Sequence, residues 1–157
     1  MPIASNDIKY YKSSDTDSTG GVISATEIVD DTLNNLFDDV SGDEAQAGDI
    51  EYRKIFIKNV HGSLSWQNVK VWVESATIST DDEIDISLST NLTGSNATGD
   101  GQSYVRPTSK THADVLDMGD IAAAEYVDVW IRRTVTAGAS AYTNDEATLK
   151  AEGETAA

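Results

Sequence analysis

Hydrophobic and polar residues alternate most clearly between Glu51 and Ser75, in the string EYRKIFIKNVHGSLSWQNVKVWVES. Ile55 and Ile57 fall on one side of an extended chain, and Lys54, Phe56 and Lys58 fall on the other. Further along, Val69, Val71 and Val73 oppose Lys70, Trp72 and Glu74. Side chains of a strand alternate with period two, so residues 51–60 and 68–75 read as strands with one apolar face each to bury. Asn59, His61, Gly62 and Ser63 supply the turn chemistry between them.

The same alternation recurs over residues 83–90, where Ile84, Ile86 and Leu88 oppose Asp85, Ser87 and Ser89. It is strong again over residues 125–136, where Val127, Val129 and Ile131 oppose Tyr126, Asp128, Trp130 and Arg132. Shorter strand candidates are residues 8–12, 21–25 and 147–151. Pro107 biases Arg106 away from helix, so residues 104–107 are extended. Residues 113–118 form a short element of unassigned type. Leu33, Leu36 and Phe37 have helical spacing behind Asp31 or Thr32 as a cap, which predicts a helix of about two turns. Ser41 with Glu44 forms a capping-box pattern that opens a single turn over residues 42–47. Small polar residues fill loops at 13–21, 91–103 and 137–144.

Several short strands separated by Gly, Ser, Asn and Asp predict a mainly β fold. The expected form is an antiparallel β-sandwich or barrel-like domain with one or two short helical turns and long polar loops. The expected division is an extended N-terminal arm over residues 1–25, a β-domain over 26–151 and a flexible tail over 152–157. The pattern offers neither a fixed internal repeat nor the β/α rhythm of a nucleotide-binding fold.

Composition narrows the partners. The chain has 157 residues, 27 acidic and 11 basic, for a formal charge of -16. Such a surface repels phosphate, which argues against nucleic acid and anionic membrane and leaves cations, basic protein surfaces or simply water, with solubility as the plainest reading of the charge. No apolar run approaches the ~20 residues needed to span a bilayer, and the N-terminus lacks a secretory-signal pattern. The chain contains no cysteine, so disulfides and thiolate metal sites play no part.

Candidate chemistry is sparse. His61 and His112 each fall in or near a turn, and there is no G-x-S-x-G elbow, so an enzyme is not expected. The acidic groups Asp30/Asp31, Asp38/Asp39 and Asp81/Asp82/Glu83 read as solvated charge beside strand ends. Asp114, Asp117 and Asp120 form a further acidic cluster without a ligand pattern. The best metal candidate is Asp15, Asp17 and Thr19 with Gly20, the first half of a calcium-loop pattern; Thr26 stands where the bidentate acid belongs. No cofactor is expected beyond that calcium candidate. Asn91 and Asn96 open two Asn-x-Thr acceptor patterns, which read as chance without a secretory signal.

The aromatic residues are more informative. Phe56, Trp72 and Trp130 lie mid-strand on the polar faces, flanked by charges. They either cover the sheet by packing across neighbouring strands or form an interface, with Arg132 beside Trp130 to supply a cation–π contact or a salt bridge. As a sugar platform, Trp72 and Trp130 define a second reading, a carbohydrate-binding β-sandwich.

Two strings, NNLFDDVSGDEAQAGDIEYRKIFIKN at residues 34–59 and EYVDVWIRRTVTAGASAYTND at residues 125–145, resemble segments of small structural proteins of tailed bacteriophages. The resemblance spans the middle and the C-terminal third of the chain and leaves the first twenty residues and the 91–103 loop unmatched. It implies a non-enzymatic virion component made in the host cytoplasm. The favoured member of that class is a capsid decoration, or cement, protein that binds the major capsid protein on the outside of the head, often as a homotrimer. A tail, baseplate or head–tail joining protein is the alternative. The expected mechanism is a β-domain that trimerises through its aromatic face and an N-terminal arm that orders along neighbouring subunits.

Overall fold

The alternating runs pair as antiparallel strands in the computed structural model, which describes residues 2–15, 20–88, 98–143 and 145–155. Among the described residues eight strands follow in chain order: β1 (Ile8–Ser13), β2 (Ile23–Glu27), β3 (Asp49–Asn59), β4 (Trp66–Ser75), β5 (Asp82–Leu88), β6 (Leu116–Ile121), β7 (Tyr126–Val135) and β8 (Thr148–Thr155). A helix, α1 (Gly42–Ala47), precedes β3, and 3-10 turns occupy Ser5–Asp7 and Gly99–Gly101. The strands form a five-stranded sheet in the order β2-β1-β3-β7-β5 and a three-stranded sheet in the order β6-β4-β8. Packed together, they make a β-sandwich, as the alternation predicts.

The core lies where the apolar faces meet. Ile55 and Ile57 of β3 and Val129 and Ile131 of β7 join Ile86 of β5 on one side. Val69, Val71 and Val73 of β4 face them with Leu116 and Ile121 of β6. These are β-branched or γ-branched residues on a pleated surface, and each fully buried one contributes roughly 1.5–3 kcal/mol. The centre of the larger sheet is the β3–β7 pair, in register from Asp49 opposite Val135 to Lys58 opposite Tyr126. Between the sheets, Val105 bridges to Ile86 of β5 while the carbonyl of the buried Pro107 accepts from Val73 N of β4 at 2.9 Å.

Several boundaries differ from the sequence expectation. The described part of the expected extended arm over residues 1–25 joins the larger sheet, because β1 pairs with β3 from Ile8 opposite Asn59 to Lys12 opposite Ile55, and β2 pairs with β1. The second strand starts at Ile23 rather than residue 21, because Gly20 and Gly21 have φ of 97° and 74° and cannot continue an extended run. Residues 152–155 are not a tail: β8 continues to Thr155, with Glu154 opposite Gln67 and Thr155 opposite Trp66. Gly153 makes this fit possible, since a Cβ there would strike the Trp66 indole. The unassigned element at 113–118 is β6, shifted to Leu116–Ile121.

The helix expected behind Asp31 is absent. Asp31 and Asn34 adopt φ of 53° and 56°, and the Asn35 amide donates to Val29 O at 2.8 Å. Such side-chain turns compete with helix. Leu36 and Phe37 still pack on the core, whereas Leu33 is exposed. By contrast the Ser41 capping box is formed: Ser41 Oγ accepts from Glu44 N at 3.3 Å and the Glu44 carboxylate accepts from Ser41 N at 2.6 Å.

Candidate functional site

The three aromatic residues singled out from the sequence are covered by their own chain. Phe56, Trp72 and Trp130 are 3%, 5% and 0% exposed. Trp130 alternates with the core residues Val129 and Ile131, so it lies on the outer face of the five-stranded sheet. Trp72 alternates with Val71 and Val73, so it lies on the outer face of the other sheet. The two indoles therefore point away from each other through the sandwich and make no common platform. The expected exposed aromatic face is replaced by local packing across the strands.

Cations do much of the covering. Lys54 is buried on the outer face of β3, with its Nζ 5.4 Å from the Phe56 ring centre and 5.9 Å from that of Trp130. The same ammonium is paired with Asp128 at 2.8 Å, which compensates its burial. Tyr126 meets Phe56 edge-on, at 5.5 Å and 83°. Lys150 of β8 lies 5.6 Å above Trp72 and pairs with Glu74 at 2.6 Å.

Arg132 is half-buried in a second group on the larger sheet's outer face. It pairs with the buried Asp85 at 2.6 Å, and Arg106 approaches the same carboxylate at 2.8 Å. Its guanidinium stacks 4.7 Å from the Tyr104 ring, and Tyr104 tilts against Tyr52 at 5.7 Å. Tyr104 Oη donates to Gly99 O at 2.8 Å, and Gly99 itself sits where any Cβ would strike Tyr52. Burial pushes the Tyr104 phenol well above its ordinary range, with the nearby Tyr52 adding to it. This group fastens Gly99, Tyr104 and Arg106 to the outer face, so Arg132 holds the fold of its own chain.

Of the calcium candidates, Asp15 is described, and Asp17 and Thr19 lie outside the described residues, as do Asn91 and Asn96. The two histidines serve turns. His61 Nδ1 accepts from Ser63 N at 3.1 Å and Leu64 N at 3.0 Å, and His112 Nδ1 accepts from Asp114 N at 3.2 Å. In the Asp114, Asp117 and Asp120 cluster, Asp117 pairs with Lys70, which holds its carboxyl below the usual range, and Asp120 accepts from Asn68 N at 3.0 Å.

Two features escaped the sequence reading. One is an open groove of about 470 Å³ between β1, β2 and β8, with Tyr10, Ile28 and Trp66 on its walls and the 2.8 Å Lys9–Glu27 pair at its rim. Burial raises the Tyr10 phenol, and its hydrogen bond to the Ala151 backbone opposes that rise.

The other is the end of the sandwich where β3, β5 and β8 begin and β4 and β7 finish. The core is closed there by charge and an aromatic ring. Phe37 lies 5.2 Å from the Arg53 guanidinium and 5.0 Å from that of Arg133. Glu51 bridges those two arginines, pairing with Arg53 at 2.9 Å and also with Arg133. Outside this network Ile50, Ile78 and Tyr142 are 52%, 69% and 55% exposed, and Val40 is also exposed. The loops at this end are tied to one another, because Gly138 N donates to Ala45 O at 2.8 Å and the Asp145 carboxylate accepts from Ile78 N at 2.6 Å. The surrounding charge is acidic, since no lysine or arginine occurs between Lys12 and Arg53.

The chain matches no protein-family model, no curated protein and no solved structure.

Proposed function

We propose that this protein is a non-enzymatic structural subunit of a virus particle, a decoration protein that binds the outer surface of the head and reinforces it. One observation carries the reading. The two segments that resemble tailed-phage structural proteins, far apart in sequence, fold into one contiguous unit. Residues 34–59 supply α1 and β3, residues 125–145 supply β7 and the connection after it, and β3 and β7 pair along their length. Ala45 O ties the helix to that connection through Gly138 N and Ala139 N, at 2.8 and 3.0 Å.

That unit ends in the exposed apolar residues Val40, Ile50 and Tyr142 within an acidic surround. Large apolar side chains ringed by charge are suited to anchoring on another protein, and the acidity favours a basic partner face. On this reading the docking element is the acidic end of the sandwich, not the buried aromatics and not a free arm. Several such ends in one homotrimer would combine by avidity.

The test is immunogold labelling of particles produced with the full chain, alongside light scattering of the purified protein. Label on heads, a trimeric mass and loss of labelling in Ile50→Asp and Tyr142→Asp variants that keep the β-sheet circular dichroism are the expected results. Label confined to tails moves the assignment to a tail or joining protein, and absence of label from every particle overturns the virion reading.

A further inference from the structure

Among the acidic residues at this end, Asp82 differs from the rest. It opens β5 opposite Val135 of β7, and its Oδ1 is buried without a hydrogen-bond donor. Its side chain instead meets that of Asp145, from the connection that leads into β8. The Asp145 carboxylate is already an acceptor, taking Ile78 N at 2.6 Å and Ser79 N at 3.1 Å. Two carboxyl groups in contact, one oxygen lacking a donor, are joined by a proton held between them, against the Thr77 hydroxyl, which favours the ionised form of Asp82.

We propose that Asp82 and Asp145 share one proton and act as a pH-sensitive latch, closed in acid, that fastens the β4–β5 connection to the start of β8. The proposal is independent of the virion reading. Its geometry is a three-way junction: Asp145 holds the amides of residues 78 and 79, and Thr77 Oγ1 donates to Asp82 O at 2.9 Å. The charged groups acting on Asp82 are Asp145 and, from β7, Arg133, which favours ionisation. Neighbouring Asp81 is committed elsewhere, its carboxylate accepting from Ser140 N at 3.0 Å and its carbonyl from Thr136 N at 2.7 Å.

Burial first, then the hydrogen bond to Asp145 and its charge, push the Asp82 carboxyl up from 3.8 to about 6. A carboxyl raised in the folded state stabilises fully below its unfolded value, and that contribution is lost as pH rises through about 6. Above it, two adjoining carboxylates repel and the junction loosens.

The experiment is an NMR titration of the full chain from about pH 3 to about pH 8, reading the Asp82 side-chain carbon and the Ile78 and Ser79 amides. A common midpoint near 6 at all three, with the amide response abolished in Asp82→Asn, is expected. Absence of a midpoint between about 5 and about 7 on Asp82 overturns the proposal. So does an unchanged amide response in the variant. If Asp82→Asn does not fold, the Asp82 carbon of the native chain decides alone.

Discussion

The two ends of the sandwich solve the same problem with opposite chemistry. At one end Asn59 closes β3 and is completely buried. Its amide donates to Leu64 O at 2.8 Å and Ile121 O at 3.0 Å, and its Oδ1 accepts from His61 N at 3.0 Å. Its backbone is also occupied, donating to Glu125 O at 3.0 Å and accepting from Ala124 N at 2.9 Å. One neutral side chain thus joins the β3–β4 turn to the β6–β7 connection at any pH. At the other end Asp82 sits in the comparable role, between two inter-sheet connections, and leaves a buried oxygen without a donor. An amide carries both donors and acceptors, whereas a carboxylate only accepts and must capture a proton to join another carboxylate. Such a difference makes the first end constitutive and the second conditional.

Exchanging the chemistry is the strongest way to break the comparison. Asn59→Asp sets a buried carboxylate against the carbonyls of Leu64 and Ile121, and neither can donate to it. The cost should be about 4 kcal/mol at neutral pH, from a lost pair of donors and an unpaired buried charge. A buried carboxyl facing acceptors is held protonated, so its folded pKa is raised and the loss should shrink in acid. Asn59→Ala removes the bonds without adding charge and should cost about 3 kcal/mol with no such pH dependence. Urea midpoints at about pH 4 and about pH 7 separate the two variants. Equal losses for Asn59→Asp at both values would mean that the site is wetter than its burial indicates.

His61 gives a weaker probe of the same end. Its Nδ1 accepts two turn amides, so His61→Ala leaves Ser63 N and Leu64 N to water and should cost about 1 kcal/mol. His61→Asn restores an acceptor and should recover part of it. A loss as large as that of Asn59→Ala would shift the weight of this end from the buried amide to the turn.

How far each end was legible follows from its physics. The β3–β4 turn could be read from Asn59, His61, Gly62 and Ser63, because turn chemistry is local in sequence. That Asn59 also binds Ile121 O was not readable, since it depends on the pairing of β4 with β6. Trp66 escaped because Asn68, with φ of 53°, and the register shifts beside it interrupt the period of β4, so the alternation starts only at Val69. Phe56, Trp72 and Trp130 could be placed on outer faces by parity, but not covered. Their cover comes from Lys54, Lys150 and distant packing, and a charged residue beside an aromatic reads equally as rim or as roof. Asp82 looked like its neighbours Asp81 and Glu83, because desolvation and contact with Asp145 arise only when the connections meet.

The smallest expected effect is also the one that most sharpens the comparison. Asp82→Asn gives the conditional end the chemistry of the constitutive one. Its amide can donate permanently to the Asp145 carboxylate, as the protonated acid does, and carries no charge to repel it. In the native chain the Asp82 carboxyl is raised from 3.8 to about 6, so stability falls as pH rises across that window. The variant should lack this fall. The two proteins should therefore be closest in acid and separate above pH 6, with the variant more stable by under ~1 kcal/mol, because the group is partly exposed and solvent screens it. Urea midpoints across the window give the reading, and Asp82→Asn combined with Asp145→Asn tests the coupling. If the single variant is less stable than the native chain at neutral pH, Arg133 rather than the shared proton dominates this end, and the two ends differ in degree rather than in kind.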